Sequence, residues 1–145
     1  MKIRNGFVSN SSSSSFVVIM KNNDKMTEEK LLEVFDVNEK SPLYSFAKDL
    51  SHWIMNNVKE HGIEDIYRDY VGNPKDKTTE EMITEIIEDY GGLDRDVLEN
   101  IANHGFRYYY GYACSDSGDA LEYYLCENGI NIDNDSIKIE SGGGY

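Results

Sequence analysis

The chain has 145 residues, which is enough for one domain with a single buried core. Its 27 acidic residues outnumber its 14 basic residues and give a formal net charge of −13, so binding of nucleic acid through a basic face is disfavoured. The same charge favours partners with basic surfaces, although acidity also keeps a small protein in solution, and both interpretations stay open.

The first predicted element is a buried strand at 16–20, a nearly all-apolar run that is rich in β-branched residues. A helix is expected next, with Thr27 as its N-cap and an end near Phe35. Ser41 and Pro42 then predict the start of the strongest core helix, with Gly62 as its C-cap. The apolar side chains of that helix recur at spacings of three and four, and they are Leu43, Phe46, Ala47, Leu50, Trp53, Ile54 and Val58.

The middle of the chain predicts three further helices. A short helix is expected at 63–70, before the Gly-Asn-Pro break that follows it. Thr78 and Glu81 have the spacing of a capping box and open a second helix at 78–90. A third helix is expected at 94–103.

The chain changes character after these helices. The segment 106–113, FRYYYGYA, has strand propensity throughout. A short helix is expected from Asp119 through Cys126, and the alternation at 137–139 is typical of an edge strand. Three predicted strands and five or six helices together indicate an α+β domain, in which the helices cover a small antiparallel sheet of about three strands.

The domain is expected to be single and to span 1–145. Residues 1–15 are predicted to be a lead-in segment, and 141–145 a flexible glycine-rich tail. Lys2 and Arg4 are followed by polar serines instead of the apolar core that an export signal needs. The apolar run at 16–20 is too short to cross a bilayer. These patterns predict a cytoplasmic protein with no membrane partner.

The serine run Ser11, Ser12, Ser13, Ser14 and Ser15 is the most unusual local feature. Its hydroxyl and N–H groups suit a phosphate, yet phosphate loops depend on glycine and only Gly6 lies nearby. No lysine follows at the spacing of a Walker motif, and no G-x-S-x-G marks a serine nucleophile. A structural lead-in and a ligand or modification site remain the two interpretations.

The stretch NGFVSNSSSSSF at 5–16, together with the apolar residues after it, resembles the opening of a group of small phage- and prophage-type proteins. Most of these proteins have no assigned function, and the resemblance extends only over residues 5–18. It implies a mobile-element origin, and hence the cytoplasm of a host cell, and it carries over no catalytic residue. Small acidic phage proteins are often inhibitors of host machinery, including anti-CRISPR proteins, which is an analogy at the level of class.

Carboxylates are concentrated on the two predicted helices at 78–90 and 94–103. One helix face carries Glu81, Glu85 and Glu88, which repel one another. Attraction to a basic groove would offset this repulsion if the carboxylates imitate the negative charge of a nucleic acid. The alternative is an ordinary solvated helix face. The predicted partner-binding residues are Glu80, Glu81, Glu85, Glu88, Asp89, Asp94, Asp96 and Glu99.

Strand alternation places Tyr108, Tyr110 and Tyr112 on one face, where they form either a contact platform or part of the core. Two other features suggest no site. The turn at 114–119 lacks the ligand ladder of an EF-hand, so no calcium is expected. The two cysteines, Cys114 and Cys126, are expected to be free thiols, and their spacing does not predict zinc.

The histidines are His52, His61 and His104, and none is expected to bind a metal or to be catalytic. His61 and His104 each precede a glycine that is expected to end a helix, so both are predicted to stabilise helix C-termini. No cofactor is expected either.

The sequence therefore predicts a phage-type accessory protein that binds and inhibits a basic, nucleic-acid-handling host protein. A rival is a nucleotide or other small phosphorylated ligand binder, or a weak enzyme, in which the serine loop holds phosphate and the tyrosines stack on a base. In that case Lys2, Arg4 and Arg107 would supply the positive charge. A third interpretation is a virion or scaffold component, and the oligomeric state stays open.

Overall fold

The computed structural model describes residues 13–114 and 119–141, and over these ranges it has the predicted α+β class. A short 3₁₀ turn, Lys21–Asn23, follows the first strand. The helices and strands of the described residues are, in chain order, β1 Ser13–Met20, α1 Glu28–Phe35, α2 Tyr44–Asn57, β2 Val58–His61, α3 Ile63–Tyr70, α4 Thr79–Asp89, α5 Arg95–Ala102, β3 Arg107–Cys114, α6 Ala120–Asn128, β4 Asn131–Asp133 and β5 Ile137–Ser141.

The sheet has the strand order β2-β3-β1-β5-β4, and every neighbouring pair is antiparallel. The central strand β1 is apolar on both of its sides, so it must be covered on both faces. Phe16 and Val18 are fully buried on one face, and Ile19 is buried on the other. The antiparallel sheet that the sequence predicted is confirmed, with helices above and below it.

Two separate hydrophobic cores join the sheet to the helices, one on each of its faces. On one face, Phe16 packs with Leu31 of α1, Ile54 of α2 and Leu125 of α6. Trp53 meets the ring of Phe16 edge to face, with 5.4 Å between ring centroids, which is a favourable geometry for an aromatic pair. The molecule thus has three layers, with α1, α2 and α6 on this side.

The second core joins the other face of the sheet to α3, α4 and α5. Ile19 and Tyr108 project from β1 and β3, and the helices contribute Ile66, Ile86 and Leu98. All five side chains are almost completely buried. The helices α4 and α5, which carry most of the predicted partner-binding residues, therefore form a separate layer together with α3.

The expectation of about three strands is wrong, because the described residues contain five. We expected α2 to continue to Gly62, yet it ends at Asn57 and Val58–His61 pairs with β3 as strand β2. The helix also begins later than expected, since Ser41 accepts a hydrogen bond from the backbone N–H of Leu43 in the turn before it (3.1 Å). β2 has a single buried apolar residue, so its pairing and not its sequence defines the strand.

The second missed strand is β4, which has only three residues and pairs with β5. Consequently β5 lies inside the sheet, between β1 and β4, and the expected edge position of 137–139 is wrong. Residue 141 closes β5 and so is not part of a flexible tail. Residues 142–145 of the expected tail lie outside the described residues.

The serine run enters the fold in part. β1 begins at Ser13, three residues before the predicted strand, because β3 offers backbone partners that far. Ser13, Ser14 and Ser15 pair with Cys114, Ala113 and Tyr112. The lead-in therefore cannot extend to residue 15, and Ser11 and Ser12 lie outside the described residues.

The helix starts were predicted more accurately. Thr27 accepts a hydrogen bond from the N–H of Lys30, and Asp119 accepts one from the N–H of Leu121. Thr78 and Glu81 form the expected reciprocal capping box. None of the helices in the described part of the chain has the length and apolar character needed to cross a membrane.

Replacing Gly111 with alanine should destabilise the protein. A Cβ atom at this position would collide with the backbone carbonyl of Asn57, where α2 passes into β2, and would crowd Val58. We expect a loss of about 1–3 kcal/mol in the free energy of unfolding, measured by urea denaturation. Gly91→Ala is the matched control, because its Cβ would meet nothing within 4 Å. Equal stability of the two variants would contradict the packing at this junction.

Candidate functional site

The acidic residues are concentrated on the layer formed by α3, α4 and α5. Between positions 63 and 102 there are twelve acidic and four basic residues, so this segment carries most of the net charge of the chain. The two helices that contain the predicted partner-binding residues, α4 and α5, are joined by the short segment 90–94. The eight predicted residues differ in what they contact, and they divide into two groups.

Four of the eight are engaged within the layer itself. Arg95 donates to the carboxylate of Glu80 at 2.7 Å and lies 3.8 Å from that of Glu99. Glu81 accepts from the backbone N–H of Thr78 at 2.8 Å, which closes the capping box of α4. These contacts offset or occupy the carboxylates, so these residues present less negative charge to a partner than the sequence suggested.

Glu85 is the most strongly engaged of this first group. It accepts hydrogen bonds from Lys77 at 2.9 Å and from the hydroxyl of Tyr67 at 2.7 Å, and so connects α4 to α3 and to the loop before α4. These two bonds, that from Lys77 first, lower the pKa of Glu85 below its ordinary value. The same contact raises the pKa of Lys77 and that of Tyr67.

The second group comprises Glu88, Asp89, Asp94 and Asp96, which are exposed and form no ion pair within the described residues. They flank the connection between α4 and α5, and we call them the acidic corner. Glu88 and Asp89 occupy the last turn of α4, which has no basic residue there. Negative charge at a helix C-terminus is unfavourable, because the helix dipole already has its negative end at that point.

The tyrosines of β3 form the second predicted surface. Tyr108, Tyr110 and Tyr112 share one face of the sheet with Ile19, Val17 and Ser15, their respective partners on β1. Tyr108 is only 1% exposed, whereas Tyr112 is 60% exposed, so the row runs from the core beneath α3–α5 to the surface. Burial raises the pKa values of Tyr108, Tyr110 and Tyr70 above the ordinary range.

The serines and tyrosines are brought together at this exposed end. Ser15 lies directly opposite Tyr112, whereas the neighbouring Ser14 points to the other face, where its side chain is 6% exposed. The hydroxyl of Ser14 has no hydrogen-bond partner within the described residues. Alternation along the strand therefore places the side chain of Ser15, and not that of Ser14, on the face of the tyrosine row.

The expected cation Arg107 is not part of this surface. It lies five positions from Tyr112 along β3, or roughly 17 Å away at about 3.4 Å per residue. Its guanidinium donates to the carbonyl of Asn23 and to the carboxylate of Glu60. Lys59 of β2, which pairs with Tyr110, does share the face, as does Lys138 of β5, which pairs with Ile19. Sequence reasoning missed Lys59 because β2 was not predicted; Lys2 and Arg4 lie outside the described residues.

The histidines contact carboxylates at two places. His52 lies 3.2 Å from Glu28, and His61 lies 3.1 Å from Asp69. The predicted role of His61 at a helix C-terminus is wrong, because this residue belongs to β2. His104 follows α5 in a left-handed backbone conformation with a φ of 69°.

Cys114 and Cys126 are not joined by a disulfide, and the turn at 115–118 between them lies outside the described residues.

Comparison of the chain with protein-family models, with curated proteins and with solved structures yields no match. The acidic corner and the surface formed by Ser15, Tyr112 and Lys59, which we call the serine–tyrosine surface, therefore have to be interpreted from their own geometry and charge.

Glu85→Gln should make stability depend less on pH in the acid range. The folded state lowers the pKa of Glu85, so its contribution is complete above the ordinary value of 4.5 and is lost as the pH falls through the folded value. We expect the variant to be less stable than the wild type at neutral pH and to approach it in acid. Denaturation measured across this pH range tests the expectation.

Glu88→Gln serves as the control, because Glu88 is exposed one turn further along the same helix and has no ion pair among the described residues. A difference between wild type and Glu85→Gln that persists unchanged into acid would contradict the assigned contact.

Proposed function

We propose that this protein is a binding protein whose acidic corner engages a basic surface of a nucleic-acid-handling protein and competes there with nucleic acid. The observation that supports this proposal is the group of four exposed carboxylates, Glu88, Asp89, Asp94 and Asp96, which no basic residue of the described chain neutralises. They lie on the layer that carries most of the net negative charge.

Two physical arguments favour a partner over a merely solvated face. First, two of the four charges lie at the unfavourable end of α4, where a neutral or basic residue would stabilise the helix. Second, clustered like charges accelerate association with a surface of opposite sign and help to exclude other partners. Their attraction decays over about 8 Å at physiological ionic strength, so the complex should be sensitive to salt.

An inhibitory role follows if the basic surface that becomes occupied is the one that otherwise holds nucleic acid. The phage-type opening at 5–18 and the acidity of the chain are what suggest inhibition of a host protein, in the manner of small anti-defence proteins. We restrict the proposed contact from eight residues to the four of the acidic corner, since the other four have hydrogen-bond or ion-pair partners within the protein.

Neutralising the acidic corner should weaken the complex. The variant combines Glu88→Gln, Asp89→Asn, Asp94→Asn and Asp96→Asn, and each exposed charge contributes modestly, so we expect affinity to fall roughly tenfold or more. The partner is first captured from host lysate with the tagged protein and released with high salt. Its affinity is then measured with and without competing DNA.

The control variant removes four other exposed carboxylates that lie outside the α3–α5 layer, namely Glu33, Asp36, Glu39 and Asp135. It has the same net charge as the test variant, so equal losses would indicate a general effect of charge. The proposal would be contradicted if the complex persisted at high salt, or if DNA did not compete with this protein for the partner.

A second candidate function is the binding of a small phosphorylated ligand by the serine–tyrosine surface. The strand register favours it, because Ser15, Tyr112 and Lys59 project from three neighbouring strands onto one face. A hydroxyl and an ammonium can bind phosphate, and an exposed ring can stack on a base. Lys59 takes the role that the sequence had given to Arg107.

Tyr112→Ala should weaken binding of a nucleoside monophosphate roughly tenfold, because a stacked base contributes about 1–3 kcal/mol. NMR titration with AMP measures the affinity. Tyr123→Ala is the control, since Tyr123 is similarly exposed but lies on α6. Indistinguishable affinities of wild type and Tyr112→Ala would exclude this surface as the site.

A further inference from the structure

A groove of about 570 Å³ lies between α2 and the start of α6, on the layer opposite the acidic corner. This volume is within the range of roughly 300–1,000 Å³ that is usual for ligand sites. Phe46 and Trp53 contribute aromatic rings, and Asp49 and Asp119 contribute carboxylates. No lysine or arginine is found among the described residues that line it.

The polar side chains of the groove are mainly hydrogen-bond acceptors. Asn56 donates its side-chain N–H to the carbonyl of His52, and Asn57 donates to the carbonyl of Trp53, each at 2.9 Å. Both amides thereby direct their N–H groups back to their own helix and retain their side-chain oxygens as acceptors. Asp49 is exposed and has no ion pair within the described residues.

An exposed apolar rim borders the groove. Phe46 is 41% exposed and Tyr124 of α6 is 42% exposed, and their rings meet edge to face with 5.4 Å between centroids. Leu43, one turn before Phe46, is 61% exposed. Large apolar side chains that cluster on a surface are typical of interaction sites.

Trp53, which lines the groove, has a buried polar atom with no partner in the described part of the chain. Trp53 is 7% exposed, and its indole N–H has no acceptor among the described residues. Buried donors in folded proteins nearly always have an acceptor, so this unpartnered N–H is unusual. Because Trp53 also lines the groove, its indole N–H is a sensitive reporter of changes there.

We propose that this groove binds an arginine side chain of a basic peptide segment. A guanidinium is planar, stacks on aromatic rings, and offers five N–H donors to carboxylate and amide oxygens, all of which this groove supplies. A lysine ammonium is a more strongly hydrated point charge and gains less from flat rings. The inference goes beyond the proposed function, because the groove is on the opposite layer and is tested without the acidic corner.

The probe is the capped tripeptide Gly-Arg-Gly, compared with Gly-Lys-Gly and with the neutral isostere Gly-citrulline-Gly. The chain has one tryptophan, so its single indole N–H signal in NMR spectra reports on the groove directly. We expect a saturable shift of this signal with the arginine peptide, a weaker response to the lysine peptide, and none with citrulline. A ligand of this size should bind with a dissociation constant in the millimolar range.

Asp49→Asn and Phe46→Ala should each reduce the affinity for the arginine peptide roughly tenfold, because they remove a charge-assisted hydrogen bond and a stacking ring. Both residues are exposed, so neither change should unfold the protein. The control is the double variant Glu88→Gln, Asp89→Asn, which removes charge from the acidic corner and should bind the peptide like the wild type.

Three results would overturn the inference: equal shifts with arginine and citrulline, wild-type affinity in both groove variants, or an equal loss in the acidic-corner control. Failure of the acidic-corner complex described above would leave these outcomes unaffected, so the two proposals succeed or fail separately.

Discussion

The central strand β1 is the constraint on which the rest of the structure depends. Its apolar residues alternate between two faces, and neither face can be left in water without losing the hydrophobic energy that stabilises a small domain. Two helical layers are the consequence. They separate the molecule into one side with the acidic corner and another with the acceptor-lined groove, so each surface has its own core beneath it.

Local signals were sufficient to predict the existence of the helices and of the strands β1, β3 and β5, whereas β2 and β4 depend on long-range pairing. Thr78 and Glu81 predict the start of α4, because both residues of a capping box lie within a window of four positions. Val58–His61 carries no comparable signal, and it becomes a strand only because β3 lies beside it. The same limit explains why Lys59 was missed, since its proximity to Tyr110 exists only through that pairing.

The candidate sites likewise combine features that are visible in the sequence with contacts that exist only in the folded chain. The accumulation of carboxylates between 63 and 102 is visible in the sequence, but the neutralisation of Glu80 by Arg95 is a contact between two helices. Phe46 and Trp53 were predicted only as members of a core stripe. Trp53 is buried against Phe16 of the sheet, whereas Phe46 meets Tyr124 of α6 and stays half-exposed, and no periodicity within α2 encodes these different partners.

The strand order has a consequence for how partners can attach. The two edges of the sheet are β2, with Lys59 and Glu60 exposed, and β4, which has only three residues including Asn131 and Asp133. Short edges with charged side chains discourage the addition of another strand. Recognition by strand addition and edge-to-edge aggregation are thereby disfavoured. Partners are expected to contact the helical layers instead, or the end of the sheet at which Ser15 and Tyr112 lie.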